Sequence, residues 1–301
     1  MHALERKLID KVTHYHDTAP VFRIEPRPLA EMEVAAVSLA QQVAGHDDTG
    51  RSHVVRGKQR SDIALAHGVR ARVYHASGAI VVNAGLAPMD HILGEKIDKT
   101  LMTEASNSAV KRLGLDRAGA AGERLAFERL WQIKAAGINR ERERGREVVC
   151  RTVGAFRRYV NDLPVWGRAS VVVELAAGGK VSAAGVDWRP IAPEPLDRAK
   201  VLDPERGARA ILADIAGRLP GGEFTDKDFD VALFSLGYLS LPKRRAQGVL
   251  APVYVAILER RGWTTMNHVV AVPATEKVYE SIARIVAMPP RETLRGKREP
   301  A

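Results

Sequence analysis

Several small sets of residues in this chain have types and spacings that suit chemistry. His14, His16 and Asp17 stand together in "THYHD". On an extended strand alternate side chains point the same way, so the two imidazoles would converge on a metal ion completed by a remote third ligand. His46, Asp47, Asp48 and His53 form a second candidate ion-binding loop. Asp226, Asp228 and Asp230 recur at every second residue of "FTDKDFDVAL", which would align three carboxylates for calcium or general-acid work in an extended segment. Each set reads better as solvated surface. No EF-hand loop is complete, and no HExxH helix is present.

Covalent and phosphate chemistry find less. Cys150 is the only cysteine, which excludes an intrachain disulfide and a thiolate zinc cluster. Arginines nearby would lower its pKa, yet no histidine lies close in sequence to complete a reactive pair, so a structural thiol is expected. "VELAAGGKVSAAG" lacks the longer glycine-rich loop followed by Lys-Ser/Thr, and its Gly-Gly-Lys triplet reads as a hairpin turn. No catalytic residue, metal ligand or cofactor is therefore assigned. Arg157, Arg158 and Arg168 with Tyr159, extended by Lys243-Arg244-Arg245 if the fold brings it nearby, would form a basic, aromatic sheet face for nucleic acid, except that adjacent strand residues point to opposite faces.

Positioning any of these groups falls to the surrounding elements. Apolar residues at three- and four-residue steps predict a helix over Leu29 to Val43, with Pro28 tolerated in its first turn. The polar "GHDDTGRSHVVRGKQRSD" reads as a loop. A hairpin is predicted between residues 69–75 and 79–84, then a helix over Ile97 to Leu113. Arg124 to Ile138 mixes helix-forming composition with strand-like alternation around "LWQIKA". The strand reading prevails because "REVVCRTVGAFRRYV" follows and can pair with it. Pro164 and Gly167 bracket a bend holding Val165 and Trp166, and a strand hairpin turns at Gly178-Gly179. Proline-rich "RPIAPEPLDRAK" reads as a linker. Asp203 then caps a helix from Pro204 towards Leu219, three strands follow, and a short helix runs from Thr275 to Val286.

The composition permits a substantial core: 301 residues, 46% hydrophobic, with only 5% aromatic. The absence of 18 consecutive apolar residues argues against a membrane-spanning helix. The opening "MHALERKLIDKVTHYHD" lacks a secretory apolar core, which favours the cytoplasm, or an extracytoplasmic location if a leader has been removed. Net charge is +10, from 46 Lys and Arg against 36 Asp and Glu. That suits nucleic acid, an anionic surface or an acidic protein, and does not choose among them.

The run "GAFRRYVNDLPVWGRASVVVELAAGGKVSAAG" resembles the propeptide module found ahead of thermolysin- and fungalysin-type metalloproteases. Phe156 and Tyr159 match its aromatic run, Leu163 to Gly167 its corner, and Gly178 to Val181 its turn, with Asp162 standing where a glycine is usual. Asp203 to Leu219, Ala251 to Val255 and "NHVVAVPATEKVYES" resemble a PepSY-like module, with Val272-Pro273 replacing its aspartate-containing approach to the last turn. Together the matches cover about residues 147–286. The resemblance implies a cystatin-like shape and an inhibitory, chaperoning or other protein-binding role, and transfers no active site.

The expected fold is accordingly α+β: curved antiparallel sheets packed on helices, cystatin-like, with duplication a candidate feature. The expected layout is an amino-terminal α+β lobe over 1–118, itself a candidate diverged repeat, a propeptide-like sheet module over 119–192, a PepSY-like module over 193–288 and a basic flexible tail over 289–301. The expected function is non-catalytic protein binding, as a regulator or inhibitor of a partner enzyme or in structural assembly. Its contacts are assigned to Tyr159, Trp166, Arg168 and Tyr254, with core packing the competing role for these side chains. A basic nucleic-acid-binding protein and a metal-dependent hydrolase are the alternatives; self-association is also open.

Overall fold

The structure, a computed structural model, describes residues 3–45, 52–87, 89–117, 119, 122–137, 143, 145–218, 228–260 and 267–279. In chain order the first elements are α1 (Ala3–Ile9), β1 (Val12–Thr13), β2 (Thr18–Arg23) and α2 (Leu29–Ala44). Four strands follow, β3 (His53–Arg56), β4 (Arg60–Ala64), β5 (Arg70–Tyr74) and β6 (Ile80–Asn83), then α3 (Lys99–Arg112). The central strands are β7 (Glu123–Ala135), β8 (Val148–Val160), β9 (Leu163–Trp166), β10 (Val171–Leu175) and β11 (Val181–Val186). Last come β12 (Asp197–Lys200), α4 (Pro204–Arg218), β13 (Phe229–Leu239), β14 (Val249–Leu250), β15 (Pro252–Arg260) and β16 (Asn267–Pro273). The fold is α+β, with helices packed against sheets. Among the described residues no helix is long and apolar enough to cross a membrane.

The chain divides into two compact units, one of Met1–Val21, Asp197–Gly237 and Ala251–Ala301, the other of Phe22–Leu196 and Tyr238–Leu250. The larger unit is built on one sheet in the order β9-β8-β10-β11-β6-β5-β4-β3, with β7 along the other edge of β8. Pairing of β11 with β6 carries this sheet across residues 118–119. Alternation along β4, β5, β6 and β10 gives it two unlike faces there, while β8 is buried on both. Ile63, Val73, Val82, Val171, Val173 and Phe156 point to one side, where they pack with Met32, Ala36 and Leu39 of α2 and Ala109 and Val110 of α3. Each such side chain contributes about 1.5–3 kcal/mol by leaving water. The intervening residues face the other side, which no helix of this core covers.

Turn chemistry sets the register. Asn161 and Asp162 both take positive φ, 46° and 62°, giving the two-residue reversal that joins β8 to β9. Gly178 and Gly179, at φ 72° and 69°, lie in a longer turn between β10 and β11, closed by the Ala176 N–H donating to the Lys180 carbonyl at 2.8 Å, in place of the two-residue glycine turn expected. Asp98 caps α3 by accepting from the backbone N–H groups of Thr100 and Leu101.

The smaller unit packs α4 on β15 and β16, which pair antiparallel without a register shift from Val253↔Pro273 to Glu259↔Asn267. Asp203 caps α4 by accepting from the backbone N–H of Arg206 at 2.7 Å, and Pro204 occupies the first helical position. β12 lies antiparallel on Thr18–Val21.

Several expectations need correction. The predicted polar loop after α2 contains the hairpin β3–β4, where Ser61 and Ile63 turn inward while charged residues hold an edge. The predicted linker contains β12, fixed by its pairing to β2. Not every pair is antiparallel: β13 runs parallel to β1 and, at Tyr238 and Leu239, to β9. Residues 275–279 are not helical, and Thr275 bridges Val201; the rest of that predicted helix, Leu219 and the 289–301 tail lie outside the described residues.

Candidate functional site

The residues expected to make contacts separate on folding. Tyr254 is 0% exposed in the smaller unit, stacks on Phe234 at 5.1 Å between centroids and donates its hydroxyl to the Leu202 carbonyl at 2.6 Å. Burial pushes that hydroxyl's pKa well up. It is a core residue and offers no contact surface. Tyr159, Trp166 and Arg168 all lie in the larger unit. Tyr159 is half-buried beneath the Arg124 guanidinium, 3.9 Å from its ring centroid. Trp166 is half-buried, with the Arg157 guanidinium 4.3 Å over its ring, and its Nε1 is buried with no hydrogen-bond partner among the described residues. Arg168 is exposed and forms part of a cavity wall.

That cavity, of about 430 Å³, lies on the sheet face turned away from α2 and α3. Its floor is Val81, Val172, Ala183 and Gly185, small groups brought side by side by the β10–β11–β6 register. Trp131, 39% exposed, and Arg129 rise from β7 at one side, the guanidinium 5.4 Å from the indole. Arg168 and Lys243 add two further cations. Two carboxylates complete the lining. Glu174 is held by the Ser182 hydroxyl at 2.7 Å and lies 3.6 Å from Arg151. Burial raises the Asp187 carboxyl's pKa, against the opposing pull of Arg189, Lys243 and Arg168, and its Oδ1 has no hydrogen-bond partner among the described residues. The cavity is thus a shallow apolar trough with one aromatic wall and a cationic rim.

Of the charged and aromatic residues here, Arg168 and Lys243 are the ones the sequence singles out, Lys243 within its basic triplet. Alternation in "FERLWQIKA" could have placed Arg129 and Trp131 on one face; nothing local marks Asp187.

Two of the three arginines expected on a nucleic-acid face, Arg157 and Arg158, are consumed internally, while Arg168 stays exposed. Arg157 pairs with Glu128 and donates to the Val165 carbonyl at 2.9 Å. Arg158 pairs with Glu123 at 2.6 Å, both side chains almost fully buried, and donates to the Arg189 carbonyl at 2.8 Å. Trp188 also donates to that glutamate, at 2.9 Å. Burial lowers the pKa of Arg158 while Glu123 opposes the shift.

A serine, a histidine and a carboxylate also meet in the core. Ser61 is 0% exposed, donates to Glu33 at 2.6 Å and lies 3.0 Å from His75 Nε2. A hydroxyl has one proton, so with it on Glu33 the histidine must donate to the serine. That direction is opposite to the one that activates a nucleophile. Arg56 closes the network with a bidentate contact, its Nη2 donating to Glu33 Oε2 at 2.7 Å and its Nε to Oε1 at 3.0 Å. The arrangement ties α2 to β3, β4 and β5.

Among the described residues, the metal sets read from sequence are not brought together. His14 sits at φ 58°, beyond the end of β1, so His14 and His16 do not alternate along a strand. His53 is exposed, and His46, Asp47, Asp48 and Asp226 lie outside the described residues. Among the described residues no three metal-ligating side chains cluster. Cys150 is 2% exposed, its sulfur 3.9 Å from that of Met89.

No family model matches the chain, and no curated protein matches it. Among solved structures it is similar to the crystal structure of an uncharacterized protein from Eubacterium rectale. The TM-score is 0.53 at 9% identity, over 90% of this chain and 94% of that one. The similarity concerns the fold alone.

Proposed function

We propose that this is a non-catalytic binding protein whose larger unit grips an extended, acidic segment of a partner protein on its open sheet face. The observation that carries the reading is the trough itself. Val81, Val172 and Ala183 offer an apolar floor, Trp131 a rigid anchor, and Arg129, Arg168 and Lys243 a rim suited to carboxylates. The net charge of +10 favours the same class of partner. Arg157 and Arg158 are already paired with glutamates, which removes two cations from a phosphate-binding track and disfavours nucleic acid. Adding a strand at the long edge of β7 is less apt. That strand has two register irregularities and alternates charged residues, both devices that block edge pairing. The resemblance of residues 147–286 to propeptide-like and PepSY-like modules, with the cystatin-like shape it implies, supports a regulator or inhibitor of an enzyme as the biological role.

A photo-crosslinking residue in place of Trp131 tests the site in nuclease-treated native lysate. The expected result is one protein adduct that disappears when Arg129→Glu and Arg168→Glu are added. Crosslinks only to nucleic acid, no adduct, or an adduct indifferent to the charge reversals would overturn the reading.

A further inference from the structure

One position in the floor of the trough is not explained by the fold. Gly185 lies inside β11, a central strand, where a glycine adds backbone freedom and packs nothing on its neighbours. The usual reasons for a glycine do not apply to it. Its φ is not positive, and a Cβ built on it would meet only the Ile80 carbonyl oxygen, at 3.9 Å. It makes no bulge either, since the pairing of β11 with β10 and β6 runs through it without a shift. Gly154 on β8 of the same sheet is the contrast, because a Cβ there would collide with Ser106. A strand glycine that the chain itself does not need marks a place where something else approaches closely.

Strand register defines what surrounds this gap. Directly opposite residues of antiparallel neighbours project to one face, and Arg129↔Ala155↔Val172↔Gly185↔Val81↔Arg72 run in one row from β7 to β5. Gly185 thus sits between two valines whose strands are about 9.5 Å apart, twice the usual strand spacing. Both valines are half-buried, as Gly185 is, whereas Ala184 and Val186 on either side of it turn into the core. The missing side chain leaves a slot that opens into the trough, with Trp131 in the adjacent row. An arginine ends the apolar stretch on each side. Arg72 and Arg60 share one carboxylate, Asp62, so that end keeps a net positive charge. Of the two carboxylates in the trough, Glu174 is engaged by Ser182 and Arg151, and Asp187 has Arg189, Lys243 and Arg168 as its charged neighbours.

We infer that Gly185 is the specificity-determining position of the trough, its slot receiving one large apolar side chain from the acidic partner segment laid across the sheet. The inference rests on the trough being the protein-binding site. It accounts for a glycine where valine would suit the strand and its two valine neighbours better. Arg129 stands three strand spacings from Gly185 and Arg72 two, about 14 and 9.5 Å. An extended segment therefore carries its carboxylates about four residues from the large side chain on one side and three on the other.

Selection of randomised displayed peptides on the full chain, and in parallel on Gly185→Val, tests it. The wild type is expected to enrich acidic peptides with one large apolar residue, and the variant to enrich none of that kind. In calorimetry a selected peptide should bind Gly185→Val at least about tenfold more weakly than the wild type. With alanine at its large residue, the same peptide should bind the two proteins alike. The urea midpoint of Gly185→Val should equal or exceed that of the wild type, because the added Cβ enters open space. Should that midpoint fall, Gly185→Ala takes its place, with weaker binding expected at an unchanged midpoint. Acidic peptides lacking a large residue, equal affinity for wild type and variant, or a midpoint lowered by alanine as well would overturn the inference and leave the trough standing as the binding site. Enrichment of no acidic peptide, or selected peptides indifferent to Arg129→Glu, would overturn that reading and the inference with it.

Discussion

Glu33 shows at residue scale how a buried charge is made tolerable. Hydrogen bonds from Arg56, supported by Ser61, outweigh the opposing effect of burial and hold its carboxyl at about 2, against an ordinary 4.5. A carboxyl depressed in the folded state contributes stability that is complete above its unfolded pKa and lost as the pH falls through its folded one. Denaturant midpoints should therefore fall between about pH 4.5 and pH 2 in the wild type, and the fall should be shallower in Glu33→Gln. The same variant should cost about 1–3 kcal/mol at neutral pH. An identical pH profile in both proteins would show that Glu33 is not the titrating group. None of this was legible beforehand: Glu33, Arg56, Ser61 and His75 look like ordinary polar residues until α2 is laid on the sheet. Of the residues assigned to contacts, Arg168 is exposed, Tyr159 and Trp166 are half-buried beneath arginines, and Tyr254 is core, because an aromatic in a strand advertises burial and binding alike.

Packing between elements concentrates at points where one backbone must approach another. α3 meets β8 at Gly154, where an added Cβ would stand 2.5 Å from Ser106 Oγ and 2.7 Å from its Cβ. Gly154→Ala should destabilise the protein by about 1–3 kcal/mol, and Ser106→Gly in the same chain should recover part of that loss. Urea titration of the two variants measures both; an unaffected Gly154→Ala would mean that α3 yields without cost. The elements themselves were largely readable. The periodicity of α2, the Asp203–Pro204 start of α4 and the glycine pair between β10 and β11 each reflect a local constraint that operates in any tertiary setting. β3, β4 and β12 were not readable, because their strand character comes from the neighbours they pair with. Arg60, Asp62 and Arg72 form ion pairs across that hairpin face in place of an apolar signal.

At the scale of the molecule, the charge of +10 is a statement about partners. If the trough takes an acidic segment, raising ionic strength from about 0.05 to about 0.5 M should weaken capture several-fold without abolishing it, since the apolar floor and Trp131 are insensitive to screening. Binding that is independent of salt would show that the cationic rim takes no part, and complete loss would show the floor takes none. By itself the sequence determined the α+β class, most helix limits, the tight turns and the excess of positive charge, because periodicity, caps, glycine and net charge are local or additive properties. Only the tertiary structure decided which arginines are spent in buried pairs and which remain on a rim. It also brought Trp131, Arg168, Asp187 and Lys243 around one cavity, and Ser61, His75, Glu33 and Arg56 into one network. Those groupings join residues far apart in the chain through strand register and packing, and no local pattern carries that information.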